Sequence, residues 1–426
     1  MERKQLHFIG IGGVGVAGLA HLAADLGYEV TGSDAAPSAM LDSLRQRGLN
    51  VSDAHLPALP GLPSTVIYSS AIPEDNAELA DARRRGIPCM RRGEYLGVLA
   101  RHFKTVVAVA GSHGKTSTTA MLAHICRKAG LNPGYLVGGK VNGWERSACA
   151  GDGSLFITEV DESDGTQVYT HATLAIIVNV EDDHCWGFGG VEKLEQCFTE
   201  FAGNAQAVLS WSSPSTRRLF GAMPSARLLD EADMPENLRL PLPGRHWRIN
   251  AALAVAAAEA LGIPRNEAVS GLEDFPGVDR RLSVRGTVLG GRCVVVEDYA
   301  HHPTELRATL AALRDGYPGR RLLVVFQPHR FERVRRFGHD FAELLGTADH
   351  AWVVAPFSAW VADGDGVDAS SIAAQTPGGR AEYVQNLPET IAAAVKHAAE
   401  QSGDDCVAVV IGAGDVSRIV PALLKA

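Results

Sequence analysis

Residues 105–116 read TVVAVAGSHGKT, and they give the clearest indication of the fold. Its first five residues are apolar or β-branched, which predicts a buried strand that leads directly into a glycine-rich loop. A strand, a glycine loop and a Lys-Thr pair at a helix start are the parts of a phosphate-binding loop for nucleoside triphosphates. Lys115 would neutralise the β- and γ-phosphates, and the hydroxyl of Thr116 would bind Mg²⁺. The loop departs from the strict G-x-x-x-x-G-K-[ST] pattern because Val109 occupies the first glycine position.

A second glycine-rich turn, GIGGVG at residues 10–15, follows a predicted strand and opens a helical pattern. Glycines in this position let backbone amides approach a pyrophosphate at the positive end of a helix. Asp34 lies about 20 residues further on, where an acidic side chain often binds a ribose hydroxyl. On its own, this block favours an NAD-dependent dehydrogenase, with a plain strand-to-helix turn as the alternative. The phosphate loop at residues 111–116 disfavours the dehydrogenase.

Short apolar strands alternate with longer helical patterns through most of the chain, which predicts an α/β fold with largely parallel sheets. The pattern separates into three blocks, which we place at residues 1–102, 103–283 and 284–426. An Ala-rich helix is expected over residues 250–261, and segment 212–243 is the least predictable stretch. The predicted strands are residues 6–9, 29–32, 105–109, 155–158, 174–178, 293–296, 322–326, 351–354 and 406–411.

The composition is that of a multidomain globular protein. The 426 residues correspond to two to four domains at roughly 100 to 200 residues each. Lys and Arg total 40 against 49 Asp and Glu, a net charge of −9, so no overall basic surface is available for nucleic acid. The seven cysteines form no C-x-x-C pair. No signal peptide is recognisable, and no apolar run reaches the roughly 20 residues that span a bilayer. We therefore expect a cytoplasmic protein without nucleic-acid or membrane partners.

Acidic residues follow the predicted strand 155–158 in the run EVDESD, residues 159–164. Carboxylates at a strand end of an α/β sheet are suitable Mg²⁺ ligands, and Glu159 is the first candidate. Such runs are more often solvated loops, so the metal interpretation depends on the nearby phosphate loop. Asp183 and His184 follow the next strand in the same way, although His184 taken alone would be an ordinary surface or core histidine.

The third block carries polar segments after two of its predicted strands, DYAHHPTE at residues 298–305 and QPHRFER at residues 327–333. Arg330 and Arg333 are three residues apart and can present forked donors to a carboxylate or phosphate. With Arg335 and Arg336 they could instead form a basic, solvated helix face. Their position beyond strand ends favours a binding site.

Taken together, these motifs resemble the Mur ligase family and follow one another in the family's order. The segments that carry the resemblance are residues 10–15, 111–116, 159–164, 183–184, 244–246 with 250–251, 277–281, 298–305, 327–330 and 412–415. The resemblance covers nearly the whole chain. It is strongest for the branch that joins L-alanine to the lactyl carboxylate of UDP-N-acetylmuramate through an acyl phosphate.

The resemblance implies an ATP-dependent amide-bond-forming ligase of peptidoglycan precursor synthesis. Its three domains would be a Rossmann-like UDP-sugar domain (1–102), a central P-loop ATPase domain (103–283) and a Rossmann-like amino-acid domain (284–426). ATP and Mg²⁺, or alternatively Mn²⁺, would be the cofactors, and the protein would be a monomer or homodimer.

The resemblance also implies a role for particular residues. Lys115, Arg281 and His301 would be catalytic. ATP would contact Gly111, Ser112, His113, Gly114, Lys115, Thr116, Ser117, His246, Asn250 and Arg281. The UDP-sugar would contact Gly10, Gly12, Gly13, Gly15, Asp34, Ser69 and Ser70. The amino acid would contact Tyr299, His301, Arg330 and Arg333. Metal ligands would be Thr116, Glu159 and His184.

The chain departs from the family pattern at several positions. Trp247 replaces an asparagine, Cys185 and Trp186 replace a leucine and an aspartate, and Glu297 replaces an aspartate. Segment 207–243 is also short for the family. Two alternatives to the alanine ligase therefore remain open. One is a sister ligase that adds a murein tripeptide, glycine or serine to the same UDP-sugar, and the other is a nucleotide-binding paralogue without catalysis.

Overall fold

Three mainly parallel β-sheets organise the computed structural model, which describes residues 4–163, 165–183, 189–358 and 367–425. The chain divides into two compact units. The first comprises Met1–Leu240 and Arg248–Pro276, and the second comprises Pro241–Trp247 and Gly277–Ala426. The α/β class expected from the alternating pattern is confirmed. The division into three domains at residues 102 and 283 stays a prediction.

The first sheet of the first unit has the parallel strand order β3-β2-β1-β4-β5. Strand β1 lies between β2 and β4, so the turn that follows β1 opens into the crevice where α/β sheets bind ligands. The side chain of Ser38 accepts the Leu41 amide and that of Asn76 accepts the Leu79 amide, which caps two of the helices. The elements are β1 (Gln5–Ile9), α1 (Val14–Asp25), β2 (Glu29–Ser33), α2 (Ala39–Gln46), β3 (Asn50–Ser52), β4 (Thr65–Tyr68), α3 (Ala77–Arg84), β5 (Cys89–Arg91) and α4 (Arg92–Ala100).

The second sheet has the order β12-β11-β10-β6-β9-β7-β8 and is parallel except for the β7–β8 pair. Strand β6 lies between β10 and β9, so the loops that follow these three strands meet at one edge. The elements are β6 (Thr105–Ala110), α5 (Lys115–Lys128), β7 (Gly134–Leu136), β8 (Ala148–Cys149), β9 (Leu155–Glu159), β10 (Leu174–Ile177), α6 (Val191–Gly203), β11 (Ala207–Trp211), α7 (Pro214–Phe220), β12 (Ala226–Leu229), α8 (Arg245–Ala260) and α9 (Arg265–Ser270).

The sheet of the second unit has the order β13-β14-β18-β15-β16-β17, and only the β13–β14 pair is antiparallel. Apolar side chains of both sheet faces are buried beneath helices, as expected of parallel strands. The elements are β13 (Ser283–Val288), β14 (Cys293–Asp298), α10 (Pro303–Gly316), β15 (Arg321–Phe326), α11 (Phe331–Leu345), β16 (His350–Val353), α12 (Ser370–Gln375), β17 (Ala381–Tyr383), α13 (Pro388–Ser402), β18 (Cys406–Ile411) and α14 (Ile419–Leu424).

The predicted strands lie where they were expected, whereas the predicted start of the Ala-rich helix is wrong. Helix α8 begins at Arg245 instead of Asn250. Gly244, at φ +108, has a non-helical backbone and lies directly before the helix. The five residues that follow it include no glycine or proline, so none of them prevents helix formation. The unpredictable segment 212–243 contains helix α7, whose first turn Ser213 caps, and the edge strand β12. Among the described helices, none is long and apolar enough to cross a membrane.

The buried histidine His21 predicts a loss of stability in acid. Burial, together with the positive charges of Arg47 and Arg146, lowers its pKa to about 4. The unfolded chain therefore takes up a proton near pH 6.5 that the folded chain accepts only near pH 4, so stability falls as the pH drops through this window. Between pH 7 and 4.5, we expect the thermal unfolding midpoint of His21→Gln to fall less steeply than that of the wild type. The midpoint is measured at pH values spaced by about 0.5 unit. The exposed His339→Gln is the control. Parallel profiles for wild type and His21→Gln would contradict this origin of acid sensitivity.

Candidate functional site

The first glycine loop lies at the end of β1, between the ends of β2 and β4. Gly10 has φ +77, a conformation that favours glycine, and the amide of Gly12 donates to Oδ2 of Asp34 at 2.8 Å. Gly13 is the N-cap of α1, so the positive N-terminus of this helix lies directly after the loop. Asp34 was predicted to bind ribose. The structure shows that one of its oxygens orders the loop itself.

Ser69 and Ser70 follow β4 beside the same loop. A Cβ atom on Gly10 would lie 3.2 Å from Cβ of Ser69, so these two residues are in contact, whereas Ser70 is exposed. On the opposite side, a Cβ atom on Gly15 would lie 2.7 Å from Nη1 of Arg92. The residues predicted for the UDP-sugar therefore gather at one edge of the first sheet. Arg92 joins them, although its sequence context does not reveal this.

A buried network of polar side chains, formed by Ser33, Glu78 and His7, holds the first glycine loop in place. The carbonyl of Ser33 accepts the Gly10 amide at 2.8 Å, and the Ser33 hydroxyl donates to Glu78 at 2.6 Å. The other oxygen of Glu78 lies 2.7 Å from Nε2 of His7, and both side chains are fully buried. Burial opposes ionisation of Glu78, but hydrogen bonds from His7, Ser33 and the Leu56 amide lower its pKa below the ordinary value. The network fixes the ends of β1 and β2 relative to each other.

The second glycine loop, at residues 111–116, is held by the segment that follows β10. The amide of His113 donates to Oδ1 of Asn179 at 2.9 Å, and the side-chain amide of Asn179 donates back to the His113 carbonyl. The Ser112 hydroxyl accepts the amide of Glu181 at 2.9 Å. Gly114 has φ +83, and a Cβ atom there would lie 2.7 Å from Oδ1 of the buried Asn250. Asn250 thus contacts the loop, while its role in binding ATP near the adenine stays a prediction.

Lys115 begins helix α5, and its ammonium group is folded back over the loop. Nζ donates to the Gly111 carbonyl at 2.6 Å and lies 2.9 Å from Glu162, which is 1% exposed. Burial favours the neutral amine, but the carboxylates of Glu162 and Asp161 outweigh it and hold the pKa of Lys115 above its ordinary value. The sequence indicated an acidic run here without indicating which of its carboxylates pairs with the lysine.

Two of the three predicted metal ligands lie at the same sheet edge. Thr116 is in the first turn of α5 after β6, and Glu159 ends the neighbouring strand β9, paired with Val109. One carboxylate oxygen of Glu159 accepts the amide of Gly138 at 3.0 Å, which orients the side chain. The third predicted ligand, His184, lies outside the described residues, as do Asp164, Cys185 and Trp186.

Other predicted ATP-binding residues belong to the second unit. His246 has its pKa lowered to about 4 by burial and by the positive charge of Arg281, so it is neutral at pH 7. Arg281 lies 3.4 Å from Glu305, and its guanidinium stacks over the Tyr299 ring at 5.0 Å. Ser117, in the first unit, is buried in α5. Trp247 is also buried, at 2% exposure.

The predicted amino-acid residues of the second unit lie beyond the ends of β14 and β15. The rings of Tyr299 and His301 are 5.4 Å apart, and the His301 ring is 5.5 Å from that of His329. Nδ1 of His329 lies 3.3 Å from Nη1 of Arg333, which is 1% exposed. Three predicted residues are thus joined through His329, which the sequence showed only as part of a motif.

Arg330 is placed differently from Arg333. It is the N-cap of α11 at φ 68, and its amide donates to the Phe357 carbonyl at 2.8 Å. Arg335 and Arg336 are exposed, and Arg335 pairs with Glu332 at 3.5 Å. The solvated-face interpretation therefore holds for these two arginines. It does not hold for the buried Arg333.

Comparison with known protein families gives matches along most of the chain. The model described as "Mur ligase family, catalytic domain" matches residues 5–104, "Mur ligase middle domain" matches residues 109–228, and "Mur ligase, glutamate ligase domain" matches residues 280–414. These three segments contain both glycine loops, Glu159, Tyr299, His301, Arg330 and Arg333.

Curated relatives and solved structures agree with these matches. UDP-N-acetylmuramate–L-alanine ligases from Mycolicibacterium gilvum and Coxiella burnetii (strain RSA 493) are 36% and 33% identical, over 98% and 99% of this chain and 95% and 98% of their own lengths. The crystal structure of a UDP-N-acetylmuramate–alanine ligase from Thermotoga maritima matches with a TM-score of 0.81 and 25% identity, covering 99% of this chain and 98% of that one. A murein peptide ligase from Psychrobacter arcticus matches in fold, with a TM-score of 0.68 and 22% identity over 99% of both chains.

Proposed function

The chain belongs to the Mur ligase family, and from this premise we propose that it is an ATP-dependent ligase that joins L-alanine to the lactyl carboxylate of UDP-N-acetylmuramate. The products are UDP-N-acetylmuramoyl-L-alanine, ADP and phosphate. The observation that supports this most is the identity of 33% to 36% to alanine ligases over nearly the full chain. The reaction belongs to peptidoglycan precursor synthesis.

The chemistry needs activation because a carboxylate is a poor electrophile. The lactyl carboxylate attacks the γ-phosphorus of ATP, and ADP leaves with the electrons of the broken phosphoanhydride bond. The amine of L-alanine then attacks the carbonyl carbon of the acyl phosphate, and the tetrahedral intermediate expels phosphate. Negative charge accumulates throughout, so positioning and electrostatic stabilisation supply most of the acceleration.

The phosphate groups of the two substrates are assigned to the two glycine loops. The N-terminus of α1, directly after the loop at residues 10–13, holds the UDP pyrophosphate, while Ser33 and Asp34 accept amides of the loop and keep it in shape. The N-terminus of α5, directly after the loop at residues 111–114, holds the ATP phosphates, and Lys115 offsets their charge. Both loops contain glycines with positive φ, which let the chain turn sharply from strand into helix.

Thr116 and Glu159 suit a magnesium ion, because a hydroxyl and a carboxylate at neighbouring strand ends are hard oxygen donors. When bound there, Mg²⁺ would screen the phosphate oxygens and orient the γ-phosphate. Glu159 already has one oxygen on the Gly138 amide, so its carboxylate is held in place. The assignment of His184 as a further ligand remains part of the proposal.

We assign His301 as the group that accepts a proton from the alanine amine. Its Nδ1 donates to the Tyr299 carbonyl at 3.1 Å and faces Glu305 at 3.2 Å. Two acceptors around Nδ1 favour the tautomer that carries its hydrogen there, so the lone pair resides on Nε2. Nε2 is then the basic nitrogen.

Inorganic phosphate release tests the proposed function directly. The protein is incubated with ATP, Mg²⁺ and UDP-N-acetylmuramate, with L-alanine, glycine, L-serine, the murein tripeptide or no acceptor added. Release that requires both the sugar nucleotide and L-alanine is the expected result. Stimulation by the tripeptide alone would identify a murein peptide ligase, and no release with any acceptor from folded protein would identify a paralogue without ligase activity.

Replacing the buried Arg333 should impair use of the amino acid. We expect Arg333→Gln to raise the KM for L-alanine about tenfold or more, because a charge-assisted hydrogen bond to a carboxylate contributes roughly 1.5 to 3 kcal/mol. The KM for ATP should change less than about twofold, because the ATP phosphates are assigned to the loop at residues 111–116. Arg335→Gln, two residues further along α11 and exposed, is the matched control. Equal effects of the two substitutions on the KM for L-alanine would contradict the assignment.

A further inference from the structure

The ammonium group of Lys115 has all of its donors engaged by the protein. An ammonium group carries three N–H donors. The Gly111 carbonyl lies 2.6 Å from Nζ, the Ser112 carbonyl lies 3.3 Å away, and both carboxylate oxygens of Glu162 lie at 2.9 Å. A phosphate can therefore receive a hydrogen bond from Lys115 only when one of these acceptors gives way.

Glu162 is the acceptor that can give way. The carbonyls of Gly111 and Ser112 belong to the glycine loop, and the Ser112 amide is tied to the Asn179 carbonyl at 3.2 Å. Glu162 comes from a different segment, after the end of β9, and contacts the loop through its side chain. It is also the only anion of the three. Exchange of Glu162 for a phosphate replaces one anion by another, so the buried ammonium always has a counter-charge.

We propose that Glu162 is a built-in competitor of the nucleotide, a carboxylate that occupies Lys115 in the nucleotide-free loop and that the ATP phosphates must displace. The proposal rests on the proposed function, since it presumes that the loop at residues 111–116 binds ATP. It assigns Glu162 a positioning role. In the nucleotide-free loop, Glu162 neutralises the charge of Lys115. A ligand must therefore be negatively charged to replace it.

The charges around Glu162 indicate that its replacement by a phosphate on Lys115 is accompanied by proton uptake. Burial raises the pKa of Glu162 to about 7, Asp161 raises it too, and Lys115 opposes both. Arg92 of α4 pairs with Asp161 at 2.6 Å, and the carboxylate of Glu159, at the end of β9, acts on Lys115. Loss of the contact with Lys115 and the arrival of phosphate oxygens both disfavour the ionised form of Glu162. Nucleotide binding should therefore protonate Glu162.

Calorimetric binding of ADP and of a non-hydrolysable ATP analogue tests this inference. Titrations with Mg²⁺ at pH 7.5 in two buffers of different ionisation enthalpy give both the Kd and the number of protons taken up. A carboxyl group with a pKa of about 7 is mostly ionised at pH 7.5, so the wild-type protein can take up at most about 0.8 proton on Glu162. In Glu162→Gln this uptake should disappear, and the nucleotide should bind about tenfold more tightly because an amide competes less well than a carboxylate.

Two further variants sharpen the test. Asp161→Asn removes a negative charge from the same segment but leaves the contact between Glu162 and Lys115 in place. Its affinity for nucleotide should therefore rise by less than about threefold. Glu162→Asp keeps the charge on a shorter side chain, so it should bind nucleotide more tightly than wild type yet still take up a proton. Glu162→Asp takes the place of Glu162→Gln in this test if the latter variant does not fold.

The outcomes separate this inference from the proposed function. An unchanged or weaker nucleotide affinity in Glu162→Gln, with proton uptake equal to wild type, would overturn the competitor role and leave the ligase assignment standing. Equal gains in Glu162→Gln and Asp161→Asn would show that only local charge matters, which also overturns it. If the wild-type protein bound neither nucleotide, the proposed function itself would fail.

Discussion

Replacing Lys115 with alanine should lower phosphate release about a thousandfold while changing the affinity for UDP-N-acetylmuramate less than about twofold. The substitution removes the cation that we assign to the ATP phosphates, and charge stabilisation is the main contribution to catalysis that we assign to this site. The sugar nucleotide is assigned to the other glycine loop, after β1, which forms part of a different sheet. Phosphate release under saturating substrates and calorimetric binding of UDP-N-acetylmuramate measure the two quantities.

The folded state of the Lys115→Ala variant needs its own control. The substitution leaves Glu162 buried without its cation, and an unpaired buried charge is destabilising. Glu162 already titrates near pH 7, so it can become neutral at little cost. Lys128→Ala removes another lysine of α5, exposed and paired with Asp274, and should leave both quantities unchanged. A double substitution, Lys115→Met with Glu162→Gln, removes both charges. If Lys115→Ala lost phosphate release and sugar-nucleotide affinity equally, the assignment of the two substrates to two loops would be wrong.

The reciprocal result is expected when Gly12 is replaced by valine. A Cβ atom at this position would lie 2.9 Å from both Asp34 Oδ2 and Ser38 Oγ, closer than side chains tolerate. The new side chain would break the hydrogen bond between the Gly12 amide and Asp34 and would fill the space next to the N-terminus of α1. We expect the affinity for UDP-N-acetylmuramate to fall about a hundredfold, and binding of the ATP analogue to change less than about twofold.

A glycine elsewhere in the first unit provides the matched control for Gly12→Val. Gly203 ends helix α6 with an ordinary φ, and a Cβ atom there would meet nothing within 4 Å. Gly203→Ala should leave both affinities at the wild-type value. A normal affinity for UDP-N-acetylmuramate in Gly12→Val would remove the first loop from the sugar-nucleotide site, whatever happens at the ATP loop.

Together the two substitutions test whether the two glycine loops act as separate anion sites. The loops share a design, in which a central parallel strand delivers glycines and a helix N-terminus to the carboxyl edge of a sheet. They differ in their acidic partners. Asp34 accepts a backbone amide of the first loop, whereas Glu162 pairs with the side chain of Lys115, which we assign to the nucleotide phosphates. Only the second arrangement places a carboxylate in competition with a phosphate.

Much of this architecture could be predicted because the strands and glycine loops are formed by residues that are neighbours in sequence. The strand predicted at residues 406–411 matches β18, and the strand at 105–109 falls one residue short of β6. Buried parallel strands are short apolar runs bounded by glycine and polar residues, so their position follows from neighbours in sequence. The glycine loops were predictable for the same reason.

The start of helix α8 shows where local patterns were not enough. Propensity favoured a helix over the alanine-rich residues from Asn250, yet the helix begins at Arg245, directly after Gly244. Residues of moderate propensity join a helix when tertiary packing supports them, and Trp247 is buried. The same helix contributes Trp247 to one compact unit and Asn250 to the other.

The fold class, the family and the positions of two glycine-rich loops follow from the sequence alone, because each depends on residues close together in the chain. The partners of these residues became visible only in the folded structure. It placed Glu162 on Lys115 and Asp161 on Arg92, and it buried Arg333 while leaving Arg335 exposed. Such choices depend on contacts between segments far apart in sequence, whose geometry is set by how strands and helices pack.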